Sequence, residues 1–310
     1  MAKATRQAFG EALAALGETH PQVVALDADL SKSTMTCYFA EKYPDRFFEM
    51  GIAEANMIGV GAGLALSGKV PFICSFACFV VGRLDIIRMS IGYTQANVKI
   101  VGTHAGIGIG EDGASQMGLE DVAALRAIPG MTIIQPADEI ETKQAIAWAA
   151  ETEGPMYFRL TRQKLADVNG PQYQFQPGKG VVLAEGRDLT IFATGGTVQG
   201  AVGAKAILAE QGIDARIVNI HTIKPIDRDL IATCADETGA LFTVEDHNII
   251  GGLGSAVAEV VAETKPVPVK RWGVEDVFGE SGTPEGLYEA YEIDAKGIAK
   301  HAAAFVKSLK

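Results

Sequence analysis

The first half of the chain alternates apolar segments of strand length with amphipathic segments of helix length. Its continuous apolar segments cover residues 23–27, 70–73, 98–101 and 131–134, and a helical pattern covers residues 4–17. Strands that are apolar on both faces and separated by helices are typical of a parallel sheet covered on both sides. Residues 1–166 are therefore predicted to form a doubly wound α/β domain.

A stretch rich in Gly, Pro and Gln interrupts this pattern between residues 169 and 180. Such a composition is typical of an irregular connection, so residues 167–187 are predicted to be a linker. The alternation then resumes with apolar segments at 189–193, 215–220, 240–244 and 267–270, followed by a helical pattern near 294–309. Residues 188–310 are therefore predicted to form a second, smaller doubly wound domain.

Composition excludes several classes of protein. The 310 residues carry a net charge of −11 and are 48% apolar, so no basic surface is available to neutralise nucleic-acid phosphates. We expect no signal peptide and no membrane span, because the sequence starts with an amphipathic pattern and has no apolar run of bilayer length. The four cysteines lack Cys-x-x-Cys spacing and are predicted to be reduced core thiols of a cytoplasmic protein.

Three glycine-rich segments approach nucleotide-binding motifs without matching them. Residues 63–69 have the spacing of a phosphate loop, but Val70 replaces the Ser or Thr that would hold magnesium. Residues 59–64 and 106–111 each lack the last glycine of the dinucleotide-binding fingerprint. Helix packing and a flexible loop account for these glycines better than nucleotide binding does.

Glu54 is the most informative polar residue of the first domain. It lies between a strand-like segment at 46–50 and a helical segment at 57–66 that is small and apolar enough to be buried completely. Burial would favour the protonated form of its carboxyl group, which suits an acid catalyst. The alternative is an ordinary first-turn glutamate that complements the helix dipole.

Two further segments place aromatic and polar residues after predicted strands, where open α/β sheets bind ligands. Phe76 and Phe79 either stack on a flat ligand ring or belong to the ordinary core. The glycine-rich loop after the next strand carries His104, Asp112 and Gln116, and such a loop is suited to reach a substrate.

His247 marks a third candidate segment, in the second domain. It precedes the glycine-rich residues 251–255, which open a predicted helix. This arrangement is consistent with an anion-binding nest at the helix start or with a loop that contacts the other domain, and the sequence leaves both open.

Four segments of the chain, in their order and approximate spacing, resemble motifs of the transketolase family. They are Gly-Ile-Ala-Glu-Ala-Asn-Met at 51–57, the segment from Phe76 to residue 89, Gly-Glu-Asp-Gly-Ala-Ser-Gln-Met at 110–117, and Leu-Thr-Arg-Gln at 160–163. The resemblance covers almost the whole chain but only the C-terminal part of a full-length transketolase. It implies a thiamine-diphosphate-binding pyrimidine domain followed by a smaller transketolase C-terminal-type domain, and transfer of a two-carbon ketol unit from a ketose phosphate to an aldose phosphate.

The resemblance also implies roles for residues that meet the cofactor. Glu54 matches the glutamate that protonates N1′ of the thiamine diphosphate aminopyrimidine. Phe79 matches the aromatic residue that stacks on the pyrimidine, and Phe76 forms a wall of the same pocket. Asp29 matches an acidic residue near the thiazolium, and Ile52 lies in the motif beside Glu54.

Residues of two further groups correspond to positions that contact the sugar substrate. The hydroxyl-binding group is His104, which is also a catalytic candidate, with Asp112 and Gln116; the phosphate-binding group is Arg6, Ser33 and Arg162. Gln116 stands where many bacterial and fungal members have His and where animal-type members have Gln. Guanidinium groups suit the phosphate role because they form paired hydrogen bonds with oxyanions.

The family's Gly-Asp-Gly motif, which binds the metal and the cofactor diphosphate, does not occur in this sequence. We therefore expect no metal site in the chain itself. The resemblance implies a separate N-terminal subunit that binds Mg²⁺ or Ca²⁺ and shares thiamine diphosphate, in a heterotetramer with two copies of each subunit. The pathway expected from the family is the pentose phosphate pathway.

Other functions remain open at this stage. The beta subunit of a 2-oxoacid dehydrogenase decarboxylase component has the same pair of domains, but it would not need Arg162 or the Glu-Asp-Gly loop at 111–113. Deoxyxylulose-phosphate synthase has a similar third domain, but it is normally a single chain that includes the metal site. A non-catalytic partner protein could also retain the fold.

Overall fold

The computed structural model describes residues 2–309, which form two α/β domains. The first contains strands β1 (Lys3–Ala4), β2 (Val23–Asp27), β3 (Phe47–Glu49), β4 (Val70–Phe76), β5 (Lys99–Thr103), β6 (Thr132–Ile134), β7 (Met156–Arg159) and β8 (Lys164–Leu165). Its helices are α1 (Thr5–Thr19), α2 (Ser31–Thr34), α3 (Cys37–Lys42), α4 (Glu54–Leu66), α5 (Ala77–Val81), α6 (Leu84–Ile86), α7 (Asp121–Arg126) and α8 (Glu139–Glu151). A π-helical turn (Ile87–Gly92) follows α6.

The second domain has the same kind of alternation. Its strands are β9 (Val181–Ala184), β10 (Leu189–Ala193), β11 (Ala215–Asn219), β12 (Thr222–Lys224), β13 (Leu241–Asn248) and β14 (Val269–Val274). Its helices are α9 (Val198–Glu210), α10 (Arg228–Thr238), α11 (Leu253–Glu263), α12 (Pro284–Ala290) and α13 (Ala295–Ser308).

The first domain is built on a seven-stranded sheet with the order β12-β6-β7-β5-β4-β2-β3. All neighbouring strands are parallel except β12, which is antiparallel to β6. Successive side chains of a strand point to opposite faces, so Val24 and Leu26 of β2 enter one core while Val23 and Ala25 enter the other. The predicted doubly wound fold is confirmed.

The second domain has a five-stranded sheet with the order β14-β13-β10-β11-β9, in which β9 is the antiparallel edge. Apolar cores lie on both of its faces, and one of them extends into the first domain. That shared core joins Ile191 and Val198 to Ile107 and Met117 of the first domain. The two domains are therefore packed through buried apolar contacts.

Five strands were not predicted from the sequence: the two-residue strands β1 and β8, and three others. β7 is a central strand, β9 lies inside the segment predicted to be a linker, and β12 is a segment of the second domain that extends the sheet of the first. The rest of the linker segment is fixed to the first domain, because Asn169 and Tyr173 donate hydrogen bonds to Asp138 and Glu141 of the α8 region. The segment that connects the two domains is therefore ordered and bound to the first domain.

The expectation that the helix after Glu54 is completely buried is wrong. α4 packs Met57, Ile58 and Ala62 against the sheet, but Leu66 remains 66% exposed and the glycines on its outer side face open space. No helix within residues 2–309 has the length and apolarity to cross a membrane. The four cysteines are free; Cys74 and Cys234 are buried, whereas the other two are half-buried.

Candidate active site at the carboxyl edge of the first sheet

The predicted site residues lie at or after the carboxyl ends of the parallel strands. Asp29 follows β2, Glu54 follows β3, Phe76 ends β4, His104 follows β5 and Arg162 follows β7. Because these strands are parallel and neighbours in the order β7-β5-β4-β2-β3, their carboxyl ends line one edge of the sheet. The sheet therefore arranges the predicted cationic residues at one end of this edge and Glu54 at the other.

The strand pair β1–β8 brings Arg6 to the same edge. Lys3 pairs with Leu165 and Ala4 with Lys164, which places the first turn of α1 beside the segment after β7. The buried side chain of Thr5 strengthens this contact, since it accepts a hydrogen bond of 2.7 Å from the Thr161 amide. Arg6 and Arg162, which are far apart in sequence, thus enter one site.

Arg6, His104 and Arg162 form a cationic cluster. Nη1 of Arg6 lies 3.0 Å from Nε2 of His104 and donates to the backbone carbonyl of Ser33 at 2.6 Å. Burial and the charge of Arg162 lower the pKa of Arg6. Burial, and then the charges of Arg6 and Arg162, lower the pKa of His104 to about 3, so its imidazole is neutral at physiological pH.

The His104 ring is held from three sides. It stacks on Phe76 with ring centroids 3.9 Å apart, and its Nδ1 lies 2.8 Å from Oγ1 of Thr103. His104 adopts a left-handed backbone conformation with φ 56°, which turns the chain sharply out of β5. Since Nε2 faces the donor Arg6, the neutral ring is oriented as a hydrogen-bond acceptor toward that side.

Phe76 and Phe79 form the aromatic wall predicted from the sequence. Their rings are 5.6 Å apart with an interplanar angle of 7°, so they are parallel. Phe76 is buried by His104 and the shared core, whereas Phe79 is half-buried in the middle of α5. Phe79 is thus the one of this pair with ring surface left to meet a flat ligand.

Glu54 begins α4 and is only 7% exposed. The Glu54 side chain has no hydrogen-bond partner within residues 2–309. The side chain of Ile52, two residues earlier, is 83% exposed. A buried carboxyl group without a protein partner is suited to bind a donor or acceptor of a ligand. The pattern of one aromatic surface and one available carboxyl group fits a nitrogen heterocycle such as the thiamine aminopyrimidine.

Asp29 and Ser33 lie on a turn that is organised by Asp27. Asp29 is exposed, has φ 63°, and donates its amide to Glu49. The buried carboxylate of Asp27 accepts the Leu30 amide at 2.7 Å and the hydroxyls of two threonines of the same turn. Burial raises the pKa of Asp27 to about 6. Asp27 is a supporting residue that sequence analysis did not identify.

The loop after β5 carries the remaining predicted substrate residues. We call residues 104–118 the substrate loop. Asp112 is 3.5 Å from Nη1 of Arg162, which also donates to the carbonyl of Ile109, and Gln116 is half-buried in a short 3₁₀ turn. The structure therefore brings Asp112 into the cationic cluster and places Gln116 farther along the same loop.

The glycine-rich segment after His247 is a contact between the domains. Its helix start binds the chain's own Glu245, whose carboxylate accepts the Leu253 and Gly254 amides at 2.7 and 2.9 Å. Arg126 of α7 donates to the carbonyl of Gly251 at 2.9 Å. The nest-like amides are thus satisfied internally, and the second sequence interpretation, a domain contact, is the one observed.

Sequence analysis also missed two buried charged residues beside the site, Arg159 and Asp246. Arg159 ends β7, and Asp246 belongs to β13 of the second domain. For Arg159 the available signal was a charged residue directly after three apolar ones, since ions are rarely buried without a partner. Asp246 lies in the polar Glu-Asp-His-Asn end of β13, which gave no such signal. Within residues 2–309, no group of three or more His, Cys, Asp or Glu side chains is arranged to hold a metal ion.

Comparison with known protein families accounts for most of the chain. The model of the transketolase pyrimidine-binding domain matches residues 1–167, and the model of the transketolase C-terminal domain matches residues 178–298. Both models describe regions that the fold shows as separate α/β units.

Individual relatives match this chain over nearly their whole lengths. A putative transketolase C-terminal section of Methanocaldococcus jannaschii is 49% identical over 96% of this chain and 95% of its own. A 6-deoxy-6-sulfo-D-fructose transketolase subunit of Clostridium sp. (strain MSTE9) is 41% identical over 96% of this chain and 92% of its own. A solved structure described as a split gene transketolase, inactive beta4 tetramer, superposes with a TM-score of 0.90 at 46% identity, covering 99% of both chains. The chain belongs to the transketolase family, of which it carries the pyrimidine-binding domain and the C-terminal domain.

Proposed function

We propose that this chain is the C-terminal subunit of a thiamine-diphosphate-dependent transketolase, which transfers a two-carbon ketol unit from a ketose phosphate to an aldose phosphate. The observation that carries the proposal is the arrangement of the sheet edge. It combines a cationic cluster (Arg6, His104, Arg162), an aromatic surface at Phe79, and the buried Glu54. These are the groups needed to bind an anionic sugar at one end and a heterocyclic cofactor at the other.

The cationic cluster is proposed to bind the phosphate of the substrate. Arg6 and Arg162 are close enough to lower the pKa of His104, and Arg162 lowers the pKa of Arg6. Two guanidinium groups that repel each other gain stability when an anion lies between them, and each can form paired hydrogen bonds with its oxygens. The neutral His104, with Asp112 and Gln116 on the same loop, is proposed to bind the sugar hydroxyls.

Glu54 and Phe79 are proposed to bind the pyrimidine of thiamine diphosphate, with Phe76 behind Phe79. When bound, thiamine diphosphate supplies the nucleophilic carbon that takes up the ketol unit. Glu54 would hold the proton at the pyrimidine N1′, and its burial without a protein partner leaves its oxygens for this bond. Asp29 and Ile52 are exposed in the chain alone and are proposed to be covered when the cofactor and partner bind.

A second subunit is proposed to hold the diphosphate and its Mg²⁺ or Ca²⁺. Support comes from relatives matched end to end that are themselves described as a C-terminal section and as a subunit. Exposed apolar side chains around α4 also support assembly: Ile52 precedes the helix, Leu66 ends it, and Tyr93 follows the π-helical turn. We propose a heterotetramer with two copies of each subunit, in the cytoplasm, where free cysteines such as these persist.

The substrates are proposed to share a terminal anionic group. One relative is described as acting on 6-deoxy-6-sulfo-D-fructose, whose sulfonate resembles phosphate in shape and carries one negative charge less. We propose phosphorylated sugars for this chain and expect a sulfonated sugar to bind more weakly, because a guanidinium pair is better neutralised by a dianion. Competition between the two kinds of sugar in one assay measures this preference.

The central test is reconstitution. The purified chain alone should transfer no ketol unit and bind thiamine diphosphate weakly, whereas mixing with the N-terminal subunit encoded in the same genome should restore transfer from a ketose phosphate to an aldose phosphate. Product sugars are measured by chromatography, and cofactor binding by calorimetry. Robust transfer by the chain without a co-purified subunit would contradict the two-subunit proposal. Decarboxylation of a 2-oxo acid in place of ketol transfer would contradict the proposed reaction.

A further inference from the structure

We infer that Asp246 of the C-terminal domain is a positioning residue for the substrate loop. This inference rests on the proposed function, because that function gives the loop its contacts with sugar. The carboxylate of Asp246 accepts the Ile107 amide at 2.7 Å with Oδ1, and the Gly108 amide at 3.4 Å with Oδ2. The C-terminal domain thus binds the loop only three residues after His104.

The substrate loop has little regular structure of its own to fix its shape. It contains two short 3₁₀ turns, Ile107–Ile109 and Ala114–Gln116; a glycine with positive φ precedes the first turn at 106, and two more lie between the turns at 110 and 113. Its base is closed by the Gly106 amide, which donates to the Gly118 carbonyl at 3.0 Å. Such a segment needs contacts from outside to hold the positions of its side chains.

Asp246 is itself held in place. It is 1% exposed, and the hydroxyl of Tyr288, from α12, donates to its Oδ2 at 2.8 Å. A Cβ atom on Gly106 would lie 2.2 Å from the same oxygen, so the loop backbone lies directly against the carboxylate. Asp246 and Tyr288 together therefore present a fixed acceptor to the loop.

The other end of the loop reaches the same residue through Arg159. This fully buried guanidinium donates through Nη2 to the Gly118 carbonyl at 2.9 Å and to the backbone carbonyl of Asp246 at 2.7 Å. Its Nε donates to both oxygens of Asp121, the first residue of α7. Both ends of the loop are therefore fastened to one residue of the second domain.

The inference gives the C-terminal domain a part in substrate binding without any contact with the substrate. If the carboxylate is lost, the amides of residues 107 and 108 lose a charged acceptor in a buried site, which is costly. The loop would then sample other conformations, and its three proposed substrate residues would lose their relative positions. Glu54 belongs to a different segment, whereas Phe79 packs against the apolar core that includes Ile107 and Met117 of the loop. Cofactor binding should therefore change less than sugar binding.

The matched pair Asp246→Asn and Glu245→Gln tests the inference. Both residues are buried carboxylates of β13, but within residues 2–309 the hydrogen bonds that Glu245 accepts come from the start of α11, inside its own domain. In the full chain, Asp246→Asn should accelerate amide hydrogen exchange of peptides within 105–117 by about tenfold, since a charge-assisted acceptor is lost. Glu245→Gln should leave these peptides unchanged.

Kinetics of the reconstituted complex provide the second measurement. Asp246→Asn should lower kcat/KM for sugar phosphates by roughly tenfold to a hundredfold, mainly through KM, whereas its affinity for thiamine diphosphate stays within about twofold of wild type. Tyr288→Phe, which keeps the carboxylate but removes its partner, should show the same pattern more weakly.

Several outcomes would overturn the inference. They are unchanged exchange in residues 105–117 of a folded Asp246→Asn chain, equal effects of Asp246→Asn and Glu245→Gln, or an equal loss of cofactor affinity. If Asp246→Asn does not fold, Tyr288→Phe decides by the same exchange measurement. Failure of the proposed function is separate: a wild-type complex without ketol transfer would contradict that function, and the exchange result would still show whether Asp246 fixes the loop.

Discussion

Residues at the carboxyl edge of the first sheet differ in how many hydrogen-bond and stacking partners the protein gives them. His104 is held by Thr103, Phe76 and Arg6, and Asp27 accepts three hydrogen bonds. Glu54, in contrast, is buried without a protein partner. The Glu54 oxygens are not fully shielded from solvent, so they remain accessible to a ligand. This contrast is one reason why we propose Glu54 as the residue that acts on the cofactor.

We predict that Glu54→Gln in the reconstituted complex lowers the rate of ketol transfer by about two to four orders of magnitude, the usual effect of losing a positioned acid. Glutamine keeps the size and can still form a hydrogen bond, so assembly and cofactor binding should persist. Deuterium exchange at the thiazolium C2, followed by NMR after quenching, measures the affected step without a sugar. The exposed Glu41, changed to Gln, is the control. Exchange as fast as in wild type would leave Glu54 as an ordinary helix residue.

Arg6→Ala should weaken binding of phosphorylated sugars and leave cofactor activation intact. Loss of one charge-assisted hydrogen bond costs about 1.5–3 kcal/mol, so KM should rise roughly tenfold or more. Unphosphorylated acceptors should be nearly unaffected. Arg187, with a side chain 90% exposed in the second domain, provides the control substitution to Ala. Equal losses for both kinds of acceptor would show that Arg6 acts by holding Ser33 and His104.

The periodicity of apolar residues predicted the strands and helices better than it predicted what each of them packs against. The long apolar strands β2, β4, β5, β10 and β13 were identified because burial on both faces leaves a continuous apolar run. β7 was missed because only three apolar residues precede Arg159, which ends the strand. The partners of Arg159, Asp121 and Asp246, are visible only in three dimensions. α4 was predicted to be buried because its residues are small and apolar on all sides, so the sequence does not distinguish the face against the sheet from the exposed face.

The connection between the domains gives a prediction at the scale of elements. Tyr173 donates a hydrogen bond of 2.6 Å to Glu141, whose burial raises its pKa to about 7. That bond stabilises the ionised carboxylate, so Tyr173→Phe should raise the Glu141 pKa further and destabilise the chain by about 1–3 kcal/mol where Glu141 is ionised. Urea unfolding should show a larger loss at pH 8 than at pH 6. The exposed Tyr93, changed to Phe, should have no effect; an equal loss at both pH values would contradict this account.

At the scale of the whole molecule, the buried histidines and the buried acids have opposite effects on how the free energy of unfolding depends on pH. Burial lowers the pKa values of His104, His221 and His247 to about 3, 4 and 4, and raises those of Asp27, Glu141 and Glu245 to about 6, 7 and 7. Between about pH 5 and 6 the unfolded chain protonates the histidines, with pKa near 6.5, and the folded chain protonates the acids. The two states then bind similar numbers of protons through these groups.

Stability should therefore change little between pH 5 and 6 and fall steeply below about pH 4.5, where the unfolded chain also protonates the acids near their ordinary pKa values. His221→Asn disturbs this balance, because the unfolded chain then binds one proton fewer than the folded chain between pH 5 and 6. Its free energy of unfolding should rise as the pH falls, by about 1.4 kcal/mol per pH unit. Urea unfolding of both chains at pH 5, 5.5 and 6 measures the two slopes. Parallel slopes would show that His221 is protonated in the folded chain, despite its burial and an Nε2 atom without a partner.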